Sequence, residues 1–316
     1  MSIPGDDYSY DIFTQAAGVV APDRPRDGVD PMGGLEVQRL VAQGASQSAA
    51  RLATYLNGVQ PLTGCFDAFF LVMYFGGGAP LEVGDVVMTL QPTVAEEERP
   101  RIPEGVHLLR DDLGIPVMVM NTECEATAYY GVRQPDTDTF RYWEIAGASH
   151  VSLPAMASSA PRMERDFGFA PPLDDPSLQA VNHVSIAPVA DAALHHLQAW
   201  ARDGTPPPPQ QLIAFGGSPP QIERDADRIA REGLRLPQVD LPIAHNSALQ
   251  RTPDVFARLV GTYDAFPTEE VRRRYGNREG YLTRYEEAAQ AAVAAGVVLP
   301  RDVEPMLAEA AAAFPF

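Results

Sequence analysis

Short apolar runs alternate with amphipathic segments along the first two thirds of the chain. Four runs have the length and composition of buried strands. They lie at 35–42, 66–75, 115–120 and 140–145. Between the first two, apolar residues recur every three or four positions over 47–56, which predicts a helix that Asn57-Gly58 ends. Strands interleaved with helices indicate an α/β fold with a mainly parallel sheet.

The rest of the chain is predicted from the same periodicities. Residues 7–20 open a helix, and a second helix runs from Pro188 to Gly204. The prolines and acidic residues of 79–110 indicate a surface excursion, and those of 151–182 a long loop. The tail from about 252 is predicted to be helical, with Asn277 as an N-cap and Gly296 as the end of that helix.

These segments suggest two domains. Residues 1–204 carry the predicted sheet and its helices, and form the core. Residues 205–316 form a proline-rich segment and a helical extension that packs on the core.

The charge balance excludes several classes of function. The chain has 42 acidic and 24 basic residues and a net charge of −18, which disfavours nucleic acid and anionic membranes as partners. Every basic residue is an arginine, so Schiff-base and P-loop lysine chemistry are excluded. The first residues lack the pattern of a signal peptide and no apolar run approaches ~20 residues, so we expect a cytoplasmic protein.

A serine stands where the first strand meets the first amphipathic helix, in Gly44-Ala45-Ser46-Gln47-Ser48. A nucleophile elbow needs this order of strand, tight turn and helix, with small neighbours beside the serine. The tripeptide alone is a weak signal, since Gly147-Ala148-Ser149 repeats it without a helical pattern after it. The context makes Ser46 the candidate nucleophile, and the Gln47 backbone N–H a donor for the oxyanion hole.

The remaining members of a catalytic triad follow in the order that α/β hydrolases use, acid and then histidine. Glu123 and Glu125 come directly after the third strand, and His150 follows the fourth. The carboxyl ends of parallel strands are where open α/β sheets assemble their sites. We therefore predict Ser46 as nucleophile, His150 as base and Glu125 as the orienting acid, with Glu123 as the alternative acid.

Other reactive side chains are weaker candidates. His183 is a distant alternative to His150, and His195 and His196 are expected on a solvated helix face. Cys124 stands between two acids, which should raise its pKa and make it a poor nucleophile. No motif supports a metal site, and the proposed chemistry needs no cofactor.

The chain resembles a family of bacterial α/β-hydrolase domain proteins whose elbow reads Gly-x-Ser-Gln-Ser. The matching segments are Gly5–Phe13, Gly44–Leu52, Tyr55–Asn57, Thr122–Glu125, Arg133–Asp136, Trp143–His150, Trp200–Pro207 and Leu236-Pro237. The resemblance implies a serine-hydrolase fold with Ser46 and His150 as nucleophile and base. It gives a class of reaction and leaves the substrate open.

Two departures from that family shape the expectations. Glu125 stands where the family commonly has aspartate, which keeps Glu123 as a rival. The family carries further strands before the segment that opens this chain, whereas 45 residues precede Ser46. We therefore expect the usual N-terminal strands to be lacking, and either self-association or a partner that supplies them. The predicted activity is hydrolysis of a carboxylic ester or lactone, and the alternative is a non-catalytic pseudoenzyme or half of a split hydrolase.

Overall fold

The computed structural model describes residues 7–25, 27–81, 108–249 and 254–316. Its strands are β1 (Val41–Ala45), β2 (Ala68–Val72), β3 (Val117–Thr122), β4 (Phe140–Ile145), β5 (Phe215–Gly216), β6 (Gln221–Ile222), β7 (Ala244–Ser247) and β8 (Thr262–Ala265). Its α-helices are α1 (Ser9–Gly18), α2 (Gln47–Thr54), α3 (Gln60–Thr63), α4 (Glu123–Tyr129), α5 (Leu153–Phe167), α6 (Pro176–Gln179), α7 (Ala187–Asp203), α8 (Pro237–Asp240), α9 (Val255–Val260), α10 (Thr268–Tyr275), α11 (Arg278–Ala294) and α12 (Val303–Ala313). The acidic excursion predicted at 79–110 falls mostly outside the described residues, as does His107.

The central sheet confirms the predicted α/β class. Within the described ranges it is parallel and contains four strands in the order β1-β2-β3-β4. Every residue of β2, β3 and β4 is buried, which is typical of strands that helices cover on both faces. β1 is an outer strand of this sheet and pairs with β2 from Val41 opposite Ala68 to Ala45 opposite Val72.

Three strand bounds differ from the prediction, whereas β4 has the predicted bounds of 140 and 145. β1 begins at Val41 and continues to Ala45, so it reaches the turn itself. β3 is displaced by two residues and ends at Thr122 because polar Asn121 and Thr122 are also buried. Apolar runs therefore located these strands but missed the polar residues at their carboxyl ends.

The chain forms two compact units that interleave along the sequence. The first comprises the described parts of Met1–Val119, Ala128–Arg141 and Leu197–Pro206. Its core contains an aromatic cluster in which the Tyr55 ring lies 5.4 Å from both Phe13 and Phe66 and 6.3 Å from Phe69. These rings fix α1 and the segment after α2 against the start of β2.

The second unit comprises the described parts of Met120–Thr127, Tyr142–His196 and Pro207–Phe316. Within it, α11 packs against α8 and α12. The Trp143 indole donates a hydrogen bond to the carbonyl of Pro208 at 3.0 Å, which holds the proline run against β4. The division at residue 204 stays a prediction about domains.

Two helices depart from the predicted pattern. The helix after Ser46 does not end at Asn57-Gly58, because a π-helical turn over Tyr55–Val59 carries it into α3, which Gly64 ends with a φ of 57°. The Asn57 side chain bonds the backbone of Leu108 and Arg110 instead of capping a helix. The polar side chain of Asn57 therefore makes a contact with residues far along the chain, which hydrophobic periodicity cannot predict.

The predicted loop over 151–182 is wrong in its first half, where α5 runs for 15 residues. Pro154 occupies the first turn, where its missing N–H costs no helical hydrogen bond. Pro161 lies inside α5 and removes one such bond without ending the helix. The two prolines of α5 therefore do not indicate a loop.

The other predicted helices are present. α1 begins at Ser9, and α7 ends before Gly204, whose φ is 79°. The Asn277 side chain accepts a hydrogen bond from the Gly280 N–H at 2.8 Å and so caps α11 as predicted. The helical tail also contains β8, which pairs antiparallel with β7.

Candidate functional site

Ser46 lies in the first unit, in a strained turn between β1 and α2. Its φ of 57° and ψ of −122° are rare for a residue with a side chain. Its N–H donates to the Val72 carbonyl at 2.9 Å, and its own carbonyl accepts from Ala49 at 3.0 Å. The strand therefore changes into a helix within one residue, which is the geometry of a nucleophile elbow.

Gly44 is the residue that lets strand and helix approach. A Cβ at this position would lie 2.7 Å from the backbone oxygen of Ser48, closer than real contacts allow. The glycine of the predicted motif is therefore required by sterics. Gln47 is the first residue of α2 and directly follows Ser46.

Glu125 and His150 form a buried pair in the second unit. The Glu125 Oε1 atom lies 2.7 Å from His150 Nδ1. Glu125 is fully buried and His150 is 8% exposed. Because a carboxylate only accepts hydrogen bonds, Nδ1 carries the proton and Nε2 is left as the basic nitrogen. This is the relation that a catalytic acid has to its histidine.

The first turn of α4 fixes the Glu125 carboxylate. Its Oε2 accepts from the backbone N–H of Thr122 at 2.8 Å and from the Thr122 hydroxyl at 2.7 Å. The same hydroxyl accepts from the Cys124 N–H at 3.2 Å. This arrangement resembles a capping box, in which a threonine and the glutamate three residues later satisfy each other's backbone groups. Thr122 therefore orients the Glu125 carboxylate independently of its contact with His150.

Glu123, the alternative acid, makes different contacts. It is fully buried, and its Oε2 accepts from the Gly147 N–H at 2.8 Å. Its Oε1 lies 2.6 Å from the guanidinium of Arg224. The side chain therefore anchors the turn that leads from β4 to His150.

Asn182 completes the support of that turn and was not singled out in the sequence. Its side-chain amide donates to the carbonyls of Gly147 at 2.8 Å and Ser247 at 3.1 Å, and its oxygen accepts from the Val184 N–H. Like Arg224, it lies far along the chain from the residues that it supports. Neither residue belongs to a local motif, so no signal in one sequence identifies them.

The remaining histidines of the described chain have structural contacts. The His183 ring stacks on Tyr263 with centroids 3.7 Å apart, and His245 packs edge-on against Phe266. His195 is exposed, as expected for a solvated face. His196 is not, because its ring packs on Trp143 and its Nε2 lies 2.7 Å from the Gly296 carbonyl.

The pKa of the Cys124 thiol is raised, as the sequence predicted. Burial raises the pKa of its thiol, and the charge of Glu125 raises that pKa further. Over the described ranges no cluster of three His, Cys, Asp or Glu side chains has the arrangement to hold a metal ion. No helix in the same ranges combines the length and hydropathy of a membrane span.

A parallel sheet with a strained serine after one strand and a buried acid–histidine pair after two others is typical of α/β hydrolases. The chain belongs to the alpha/beta hydrolase domain family, whose model matches residues 1–308. Searches among curated proteins and among solved structures found no match. Membership of this family supports hydrolase activity in general, without naming a substrate.

Proposed function

We propose that the protein is a serine hydrolase that cleaves a carboxylic ester or a lactone through an acyl-enzyme on Ser46. The observation that carries the proposal is the 2.7 Å contact between His150 Nδ1 and Glu125 in a buried environment. Ser46, the two acids and His150 each follow a strand of the parallel sheet in chain order, as the triad residues of α/β hydrolases do.

In the first half of the reaction, His150 Nε2 takes the proton of the Ser46 hydroxyl as the Ser46 oxygen attacks the carbonyl carbon. The Gln47 N–H and a second donor hold the oxyanion. The tetrahedral intermediate then collapses, the bond to the alcohol breaks, and the alcohol leaves with the proton from Nε2. Glu125 stabilises the imidazolium and keeps its proton on Nδ1.

In the second half, water attacks the acyl-enzyme and His150 takes a proton from that water. The ester bond to Ser46 breaks, the serine oxygen recovers the proton, and the carboxylic acid leaves. The scheme needs no metal or organic cofactor.

The outer strand β1 bears on the partners of the protein. We propose a cytoplasmic protein that associates through β1, with itself or with a partner that bears strands. β1 is an outer strand of the described sheet, and such a strand offers backbone groups for pairing with another chain. Light scattering on the isolated chain tests this, and a monomer at all concentrations contradicts self-association.

Covalent labelling tests the nucleophile directly. A fluorophosphonate probe should modify one serine, and mass spectrometry of the digested protein should place the phosphonate on Ser46. Ser48→Ala, which alters an exposed serine in the first turn of α2, is the matched control and should label as the wild type does. Absence of labelling at neutral pH favours the non-catalytic alternative, and phosphonate on another serine moves the nucleophile.

A further inference from the structure

The second unit contains a cavity of about 470 Å³ that none of the proposed catalytic residues lines. Its walls come from the start of α5, the chain after Asn182, the pair β7–β8, and helices α11 and α12. Leu153, Pro154 and Ile243 form an apolar side of the cavity, together with alanines of α12. Its volume lies within the range of about 300–1,000 Å³ that small-molecule sites occupy.

Two buried tyrosines reach this cavity with unused hydroxyl groups. Tyr281 and Tyr285 are each 2% exposed and lie one turn apart on α11. In the part of the chain that the structure describes, neither hydroxyl has a hydrogen-bond partner. A tyrosine hydroxyl that lines a cavity without a protein partner can donate to or accept from a ligand there. Burial raises the pKa of both phenols, which keeps them neutral.

The remaining polar lining is mixed, and it includes a carboxylate and a histidine. Glu309 on α12 lines the cavity, its charge acts on the pKa of Tyr285, and its carboxylate has no ion-pair partner among the described residues. The His183 Nε2 donates to the Gln179 carbonyl at 3.0 Å, so the neutral ring keeps Nδ1 as an acceptor. Burial lowers the pKa of His183, which favours that neutral form.

We propose that this cavity binds a small organic cation, an ammonium group on an aromatic or aliphatic body. The ammonium group donates to Glu309 and lies against the electron-rich rings and hydroxyls of Tyr281 and Tyr285. The body packs on the apolar side formed by Leu153 and Ile243. No arginine is among the described lining residues, so an anionic ligand would meet Glu309 without a compensating charge.

Calorimetric titration of the full chain with two isosteric probes tests the charge preference. Phenethylamine is a cation at neutral pH, and 2-phenylethanol has the same body without the charge. We expect the amine to bind about tenfold more tightly than the alcohol, as for a charge-assisted hydrogen bond. Equal affinities, or no binding of the amine, would overturn the proposal.

Substitutions then locate the site. Glu309→Gln should remove the preference for the amine, whereas Glu304→Gln, an exposed change on the same helix outside the lining, should keep it. Tyr285→Phe, which removes the hydroxyl alone, should weaken the amine several-fold. Thermal unfolding of each variant verifies the fold. Unchanged amine affinity in a folded Glu309→Gln variant places the ligand elsewhere, and the result is independent of labelling at Ser46.

Discussion

The tripeptide Gly-Ala-Ser occurs twice at a strand end and adopts two different structures. In Gly44-Ala45-Ser46 the positive φ falls on the serine, at 57°. In Gly147-Ala148-Ser149 it falls on the glycine, at 73°. The first serine is half-buried at the start of α2, whereas Ser149 is 2% exposed and donates to the Val151 carbonyl at 2.8 Å.

The two tripeptides differ in which residue carries the unfavourable backbone conformation. At the first tripeptide, the glycine is needed for the contact between strand and helix, so the serine takes the unfavourable backbone conformation. At the second, Glu123 and Asn182 hold the N–H and the carbonyl of Gly147, and the glycine takes the positive φ at little cost. Strain on a non-glycine residue favours a functional role for that residue.

The largest expected effect separates the two serines. Ser46→Ala should lower ester turnover about 10⁴-fold or more, because the nucleophile is lost. Ser149→Ala should leave turnover within about tenfold and cost roughly 0.5–1.5 kcal/mol of stability through one lost hydrogen bond. Steady-state kinetics and urea unfolding measure both. Comparable losses of turnover in the two variants would refute the assignment.

The next effect separates the two acids. Glu125→Gln should lower kcat by about 10²–10⁴-fold, because an amide cannot stabilise the imidazolium and favours the wrong tautomer. Glu123→Gln should lower kcat less than about tenfold but cost roughly 1–3 kcal/mol of stability, since it weakens the contact with Arg224. Measuring kcat and the urea midpoint for both variants distinguishes the two roles.

The opposite order of kcat in the two variants would contradict this assignment of the acids. If Glu123→Gln is the slower enzyme, the acid role moves to Glu123. Arg224→Ala provides a control, because it should reproduce the stability loss of Glu123→Gln while turnover stays within about tenfold. A large loss of kcat in Arg224→Ala would show that the turn before His150 has a larger role in turnover.

The smallest effect concerns the glycines of the two tripeptides. Gly44→Ala places a Cβ 2.7 Å from a backbone oxygen and should cost about 1–3 kcal/mol and reduce labelling at Ser46. Gly147→Ala should cost about 1–2 kcal/mol through its positive φ, with the Val239 methyl 3.1 Å away. Unfolding curves and labelling rates measure this. Equal labelling of Gly44→Ala and wild type would show that the turn at Ser46 accommodates a Cβ at position 44.

Periodicity located the elements that are locally determined. The strand 140–145, the helix that starts at Gln47 and the capped helix after Asn277 were predicted because apolar spacing and caps are local properties. Helix α5 replaces part of the predicted loop because the first turn of a helix accepts proline. The continuation of α2 through Asn57 was missed because that side chain bonds residues some 50 positions away.

The sequence determined the order of serine, acid and histidine at successive strand ends, and with it the α/β-hydrolase class. It left Glu123 and Glu125 as rivals, because two carboxylates two positions apart have the same local chemistry. Their contacts differ only in the tertiary structure, where Glu125 lies against His150 and Glu123 contacts Gly147 and Arg224. Contacts between residues far apart in the chain depend on packing, and a single sequence does not show them.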